Sequence, residues 1–386
     1  MKNHSDELIF HSQGLRRSAA NLVRSHRRIR LREILLARLS AKRFDKEVIM
    51  GIKASVSLYS LQYQYLQGKM NLEEIIAFVK SLGSDGIELL PDQMLHGTPE
   101  PTEETYQMWN ALVKKYGIGL ACDDVFLNTN MFKNRELTKR ECISLIKKEI
   151  VMAHRLGFKT IRLVSMVPAW IIEPCLETSI ENDVSLNIEI HAGLGFGVKK
   201  TDEYIEEMLR LDSPYVGIVP DTSLYMKRAP RVMTNYIAAV MGNLNPDIIK
   251  YTDEVFASGT DFFQLNLKSK DGMDPKLRSL IKSPADGFYA ANISGYENRR
   301  LEELDSLAKY IKHVHFKLYE MTDEGDEYSI DYKEILQYLH DHGYNGYVST
   351  EYEGNRWVLP DHEIPEVQQV TAHQKMIQRY IKEIEG

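Results

Sequence analysis

From Ile52 onward, short apolar runs rich in β-branched residues alternate with stretches whose apolar positions recur every three to four residues. The first pattern is that of buried strands, the second that of helices with one face on a core. Strands are expected over residues 53–61, 86–90, 119–123, 160–164, 186–191, 216–220, 313–318 and 347–352. Helices are expected over 72–81, 103–115, 139–155, 171–181, 201–211, 332–342 and 366–384. Gly83, Gly117, Gly157 and Gly343 stand where left-handed caps would end four of these helices. No GxGxxG follows the first strand, so the alternation predicts a closed parallel barrel, an α/β protein of the (β/α)8 TIM-barrel class, over a dinucleotide-binding sheet.

Two segments break the alternation. Residues 1–49 form a basic N-terminal extension carrying Arg16, Arg17, Arg24, Arg27, Arg28, Arg30, Arg32, Arg38 and Arg43. A basic amphipathic helix near residues 22–39 would suit a nucleic-acid arm, a targeting peptide or an oligomerisation helix. Met50, directly before the first strand, equally marks a dispensable leader, and no function is assigned to the extension. The catalytic domain is expected over 50–386. Within it, roughly 90 residues separate strands six and seven where about 30 would suffice, a long insertion over about 227–300. It holds a helix-like stretch over 248–256 and a Gly/Ser/Pro-interrupted tract over 269–287. Insertions on βα loops sit at the catalytic face, so a lid or subunit contact is expected, with a purely structural excursion as the alternative.

Composition narrows the partners. The 43% apolar content is that of an ordinary globular core, and the net charge of −7 disfavours nucleic acid and anionic membrane surfaces, leaving a small molecule. Cys122, Cys142 and Cys175 form no CxxC pair, which excludes a disulfide framework or zinc knuckle and suggests a reducing, cytoplasmic setting. No apolar run is long enough to span a bilayer.

The ends of the last four strands carry the chemistry. Strand five closes on Asn187-Ile188-Glu189-Ile190-His191, which puts a carboxylate and an imidazole on one side of the strand. Strand six closes on Val219-Pro220-Asp221-Thr222, strand seven reads His313-Val314-His315-Phe316-Lys317, and strand eight reads Ser349-Thr350-Glu351-Tyr352-Glu353. Strand ends of a barrel share one mouth. Carboxylates gathered there repel unless a divalent cation compensates them, so Glu189, Asp221, His315 and Glu351 are expected as metal ligands. The set is oxygen-rich, which favours Mn2+, with Mg2+ or Co2+ as alternatives, over structural zinc. His191 is the expected base, since an ordinary imidazole titrates near neutrality and lies beside Glu189. Lys317 could supply positive charge, and His313, Asp123, Asp124, Glu88, Arg162 and Glu353 are weaker mouth candidates. Taken singly, each of these is as compatible with a satisfied core or rim position.

The order Glu189, Asp221, His315, Glu351, in its IEIH, PDT, HVHFK and STEYEG contexts, resembles the xylose-isomerase-like TIM-barrel superfamily over about residues 50–386. Within it, the stretches SVSLYSLQYQYLQGKM, GIELLPDQMLHGTPEPTEETY, NRELTKREC, RLVSMVPAWIIEPCL, EIHAGLGFG, HVHFKLYEM and STEYEGNR look most similar to the α subunit of C-glycoside deglycosidases. The resemblance implies a glycoside already oxidised at C3, a smaller β subunit in a hetero-oligomer, and cleavage by proton abstraction at C2 and elimination of the aglycone from C1. It also implies that Glu189 and Glu351 compete with His191 as acid and base, as in isomerase branches. A sugar or sugar-phosphate isomerase or epimerase with the same metal site is the alternative. An abasic-site endonuclease would need more ligands and a basic surface, and a non-catalytic barrel would have no use for all four ligands. Tyr59, Tyr63, Met94, Phe126, Met166, Trp170, Phe196 and Tyr225, near strand ends, would permit an aromatic aglycone, although most of them suit the core equally.

Overall fold

The computed structural model describes residues 51–129, 134–164 and 167–386. The basic extension over 1–49 and Met166 lie outside the described residues. Eight parallel strands form one sheet in the order β6-β5-β4-β3-β2-β1-β8-β7. They are β1 (Lys53–Ser57), β2 (Gly86–Leu89), β3 (Gly119–Val125), β4 (Thr160–Leu163), β5 (Ser185–Ile190), β6 (Val216–Pro220), β7 (Val314–Leu318) and β8 (Tyr347–Tyr352). Isolated bridges Ile218↔Ile311 and Asp221↔His315 join β6 to the β7 edge, so the sheet curls into a nearly closed (β/α)8 barrel. The longer helices are α1 (Leu72–Ser81), α2 (Glu103–Tyr116), α3 (Lys139–Leu156), α4 (Ile172–Asn182), α5 (Lys199–Leu211), α6 (Arg231–Met241), α7 (Pro246–Ala257), α8 (Phe262–Lys268), α9 (Pro275–Leu280), α10 (Pro284–Ile293), α11 (Tyr332–Asp341) and α12 (Glu366–Glu385).

Local chemistry explains where these helices start and stop. Capping boxes, Asn71 with Glu74 and Thr138 with Glu141, open α1 and α3. Gly117 and Gly157 close α2 and α3 at φ +55° and +95°, where a side chain would strain the backbone. Between helices and barrel lies the apolar core, in which Trp109 is fully buried, stacks on Phe158 at 5.9 Å and donates its indole N–H to the Leu156 carbonyl at 2.9 Å. Among the described residues no helix is long and apolar enough to cross a membrane.

Three expectations need correction. The first strand does not run through 53–61; it stops at Ser57 and the chain turns through 3-10 and α-helical turns. The Ser60 hydroxyl donates to the Thr350 carbonyl and accepts from the Tyr352 amide, both at 2.9 Å, so the turn is tied to β8 and Tyr59 is carried over the barrel mouth. His191 likewise lies beyond β5, in the loop that follows it. The insertion between β6 and β7 contains α6 to α10, more regular structure than its Gly/Ser/Pro-interrupted pattern suggested.

Candidate metal centre and active-site pocket

At the C-terminal ends of β5 to β8 the inward positions change from apolar to ionisable. The parallel register sets Lys317 beside Glu351 and Asp221 beside His315, and side chains two residues apart point the same way. As a result Glu189, Asp221, His315 and Glu351, all buried, each offer an atom to one group whose members lie within 4.8 Å of one another.

His315 is held between two sets of acid. Its Nε2 lies 2.9 Å from both oxygens of Glu88, a β2 residue that also reaches His313 Nε2 at 2.6 Å. Its Nδ1 faces Glu351 at 3.1 Å, Glu189 at 3.4 Å and Asp221 at 3.8 Å. Burial and Arg162 oppose charge on His315, but Glu88 and Glu351 outweigh them and raise it well above its ordinary range. With its Nε2–H donated to Glu88, the Nδ1 lone pair and three carboxylates can instead surround a cation, the usual arrangement of a ligating imidazole backed by a carboxylate. Asp221 Oδ1 accepts the Ser223 amide at 2.7 Å, whereas its buried Oδ2 makes no well-formed hydrogen bond. The donor set therefore fits a divalent cation.

Two buried cations compensate the rest. Arg162 of β4 places Nε 2.6 Å from Asp124 and Nη1 2.7 Å from Glu189 and 3.8 Å from Glu351. Lys317 Nζ is bonded to Glu351 and lies 2.9 Å from Asp221 and 3.4 Å from Glu353. Burial opposes the charge of both, yet these acids hold both protonated, well above their usual ranges. In Glu351 the cost of burial is outweighed by Lys317 and His315, which keep it well below the usual carboxylate range.

Above this ionic floor opens a cavity of about 580 Å³ lined by Arg162, Glu189, Lys317, Glu351 and Glu353 below and by Tyr59, Leu90, Phe126, Tyr296, Tyr319 and Trp357 around the sides. His191 also lines it. The Nδ1 of His191 lies 2.7 Å from the Ala192 carbonyl, which can only accept, so Nδ1 carries the proton and Nε2 is the basic nitrogen. The insertion supplies Asn292, Gly295 and Tyr296 to the wall, so it is part of the pocket as well as an excursion.

The structure thus brings the four expected ligands, His191 and Lys317 to one place, and it promotes Glu88, Arg162 and Glu353 from weak candidates to parts of the site. Asp123 is not part of it. It lies on the face of β3 opposite Asp124, and burial, with Glu149 next, pushes its carboxyl well above the ordinary value. Of the aromatic and methionine residues near strand ends, Tyr59 and Phe126 reach the pocket, while Met94 and Tyr225 are buried core. Tyr296, Tyr319 and Trp357 carried no sequence signal beyond their type.

Residues 76–248 match the family model described as a xylose isomerase-like TIM barrel. Among curated proteins, the chain is 25% identical over 342 residues to the 3'-dehydrocarminate deglycosidase alpha subunit of Microbacterium sp, covering 86% of this chain and 97% of that one. It is 23% identical to a C-glycoside deglycosidase alpha subunit of Arthrobacter globiformis, over 79% of this chain and 86% of the relative. Among solved structures, L-ribulose 3-epimerase superposes with a TM-score of 0.50 at 12% identity, over 86% of this chain and 96% of that one. A sugar phosphate isomerase/epimerase from Parabacteroides distasonis superposes with the same score and identity, over 87% and 97%. The chain is therefore a (β/α)8 TIM barrel that matches the xylose isomerase-like family model over part of its length, and its similarity among curated proteins is to alpha subunits of C-glycoside deglycosidases.

Proposed function

We propose that this chain is the divalent-metal-dependent α subunit of a C-glycoside deglycosidase, a lyase that eliminates the aglycone from a glycoside already oxidised at C3. The observation that carries this reading is the buried group Glu189, Asp221, His315 and Glu351 at the floor of a pocket that His191 also lines. The names of the relatives supply the substrate class and, through the words "alpha subunit", the expectation of a smaller partner subunit.

The chemistry follows from the positions of the side chains. Glu189, Asp221, His315 and Glu351 would hold the cation, Mn2+ suiting so oxygen-rich a set best, with Mg2+ and Co2+ as alternatives, and it would supply Lewis-acid stabilisation of charge on a carbonyl oxygen. A ketone at C3 acidifies the C2 proton, and His191 Nε2 takes it. The electron pair of the C2–H bond is delocalised as an enolate, then forms the C1=C2 double bond as the bond from C1 to the aglycone breaks. The proton held by His191 returns to the departing carbon, so the step is redox-neutral and consumes no water. Lys317 and Arg162 hold Glu351 and Glu189 as carboxylates, and Lys317 adds positive charge near the developing enolate. The aromatic wall offers a surface on which an aryl aglycone can stack.

The test is release of aglycone from a 3-oxo aryl C-glucoside by the full chain, alone and with its partner subunit, in Mn2+. Release should vanish with chelator and in Glu351→Gln, and His191→Ala should lower kcat by about 10²–10⁴. Metal-dependent interconversion of free ketoses with no aglycone release would replace this reading by a sugar isomerase or epimerase.

A further inference from the structure

The loop that carries His191 reads His191-Ala192-Gly193-Leu194-Gly195-Phe196-Gly197. Glycines lose the most backbone freedom on folding, so a segment this rich in them cannot hold an imidazole at a defined place unaided. The restraint comes from the far end of the insertion. The backbone of Glu297 is itself fixed, because Met226 N donates to its carbonyl at 3.0 Å and Arg299 N to the Leu224 carbonyl at 2.7 Å. From that short ribbon the fully buried Glu297 side chain reaches back, and one carboxylate oxygen accepts Gly193 N at 2.8 Å and Gly195 N at 3.2 Å. Arg299 holds the other oxygen at 2.8 Å and also donates to the Phe196 carbonyl. A Cβ on Gly195 would run into this carboxylate, so the glycine is required by the close approach. On its other side the loop is tied by Ala192 N to Ser223 Oγ at 3.1 Å, two residues beyond Asp221.

We infer that Glu297, splinted by Arg299, is a positioning residue: a latch by which the β6–β7 insertion sets the β5 loop and so aims His191 into the pocket. The insertion then has two tasks at the site, supplying wall residues and fixing the loop that bears the base. The consequence for turnover rests on the role proposed above for His191; the latch itself does not.

The experiment compares the full-length chain with Glu297→Ala, Glu297→Gln and Arg299→Met by hydrogen exchange over the peptide spanning residues 191–198, and by kcat and KM for aglycone release. In Glu297→Ala exchange should quicken more than tenfold, and kcat should fall about 100-fold with KM little changed, the cost of misplacing a reacting group by about 1 Å. Mn2+ affinity should stay at the wild-type value. Glu297→Gln keeps an accepting oxygen and should recover much of both losses, and Arg299→Met should fall between the two. If Glu297→Ala misfolds, the Gln and Met variants still order the effects. Unchanged exchange in Glu297→Ala overturns the latch, and faster exchange with undiminished kcat overturns positioning. A wild type that releases no aglycone defeats the proposed function, and the exchange data still support or overturn the latch.

Discussion

The β5–β8 half of the barrel and the β1–β4 half carry different kinds of ionisable side chain. On β5 to β8 the candidate ligands Glu189, Asp221, His315 and Glu351 face one point, with oxygens and a ring nitrogen left for a cation. On β2 to β4 Glu88, Asp124 and Arg162 contact those ligands or one another, with only Asp124 Oδ2 of their carboxylate oxygens left without a hydrogen-bond partner. One half offers donors, and the other sets their charge and orientation. The two halves share the counter-charge, because Arg162 of β4 and Lys317 of β7 together offset carboxylates that would otherwise be a buried cluster of mutually repelling acids.

That contrast can be broken at either half. The largest effect is expected in the ligand half: Asp221→Asn, which keeps the shape and removes one charged donor, should weaken Mn2+ binding by well over 100-fold in calorimetry. Binding within a few-fold of wild type would mean that the cation does not sit among these side chains. The supporting half should give a smaller loss. Glu88→Gln keeps a hydrogen bond to His315 but loses its charge, and metal affinity should fall about 10–100-fold, the usual cost of removing the carboxylate behind a ligating imidazole. Equal losses in the two variants would erase the distinction between donors and supports.

The smallest effect is expected on the outer face of β8, where His373 of α12 is buried, shares a hydrogen bond with Thr350 Oγ1 at 2.9 Å and packs 4.8 Å from Tyr332. Burial pulls this imidazole down to about 3. The sign follows: the unfolded chain takes up this proton below about pH 6.5, the folded chain only near 3, so stability is lost as pH falls through that window. Compared with His373→Asn, the wild type should lose up to about 1.4 kcal/mol more unfolding free energy per pH unit between pH 6.5 and 5. Parallel urea-unfolding profiles for the two proteins would show that the imidazole is not held neutral in the fold.

The sequence by itself determined most of the fold and singled out the candidate ligands that the fold brings together. The period of the apolar positions placed the strands and the main helices within a few residues, because burial on both faces of a parallel sheet selects continuous β-branched runs. It also marked Glu189, Asp221, His315 and Glu351, because an apolar run that turns ionisable at its end is a local signal. What only the tertiary structure decided lies at long range. Glu88 and His315 are 227 residues apart and meet only when β2 and β7 face each other across the barrel. Tyr59 enters the pocket because Ser60 is tied to β8, and His191 is set by Glu297, 104 residues from the Gly193 amide that it holds. No local pattern encodes such pairs: their partners are chosen by closure of the sheet, which spaces side chains by ladder register and not by distance along the chain.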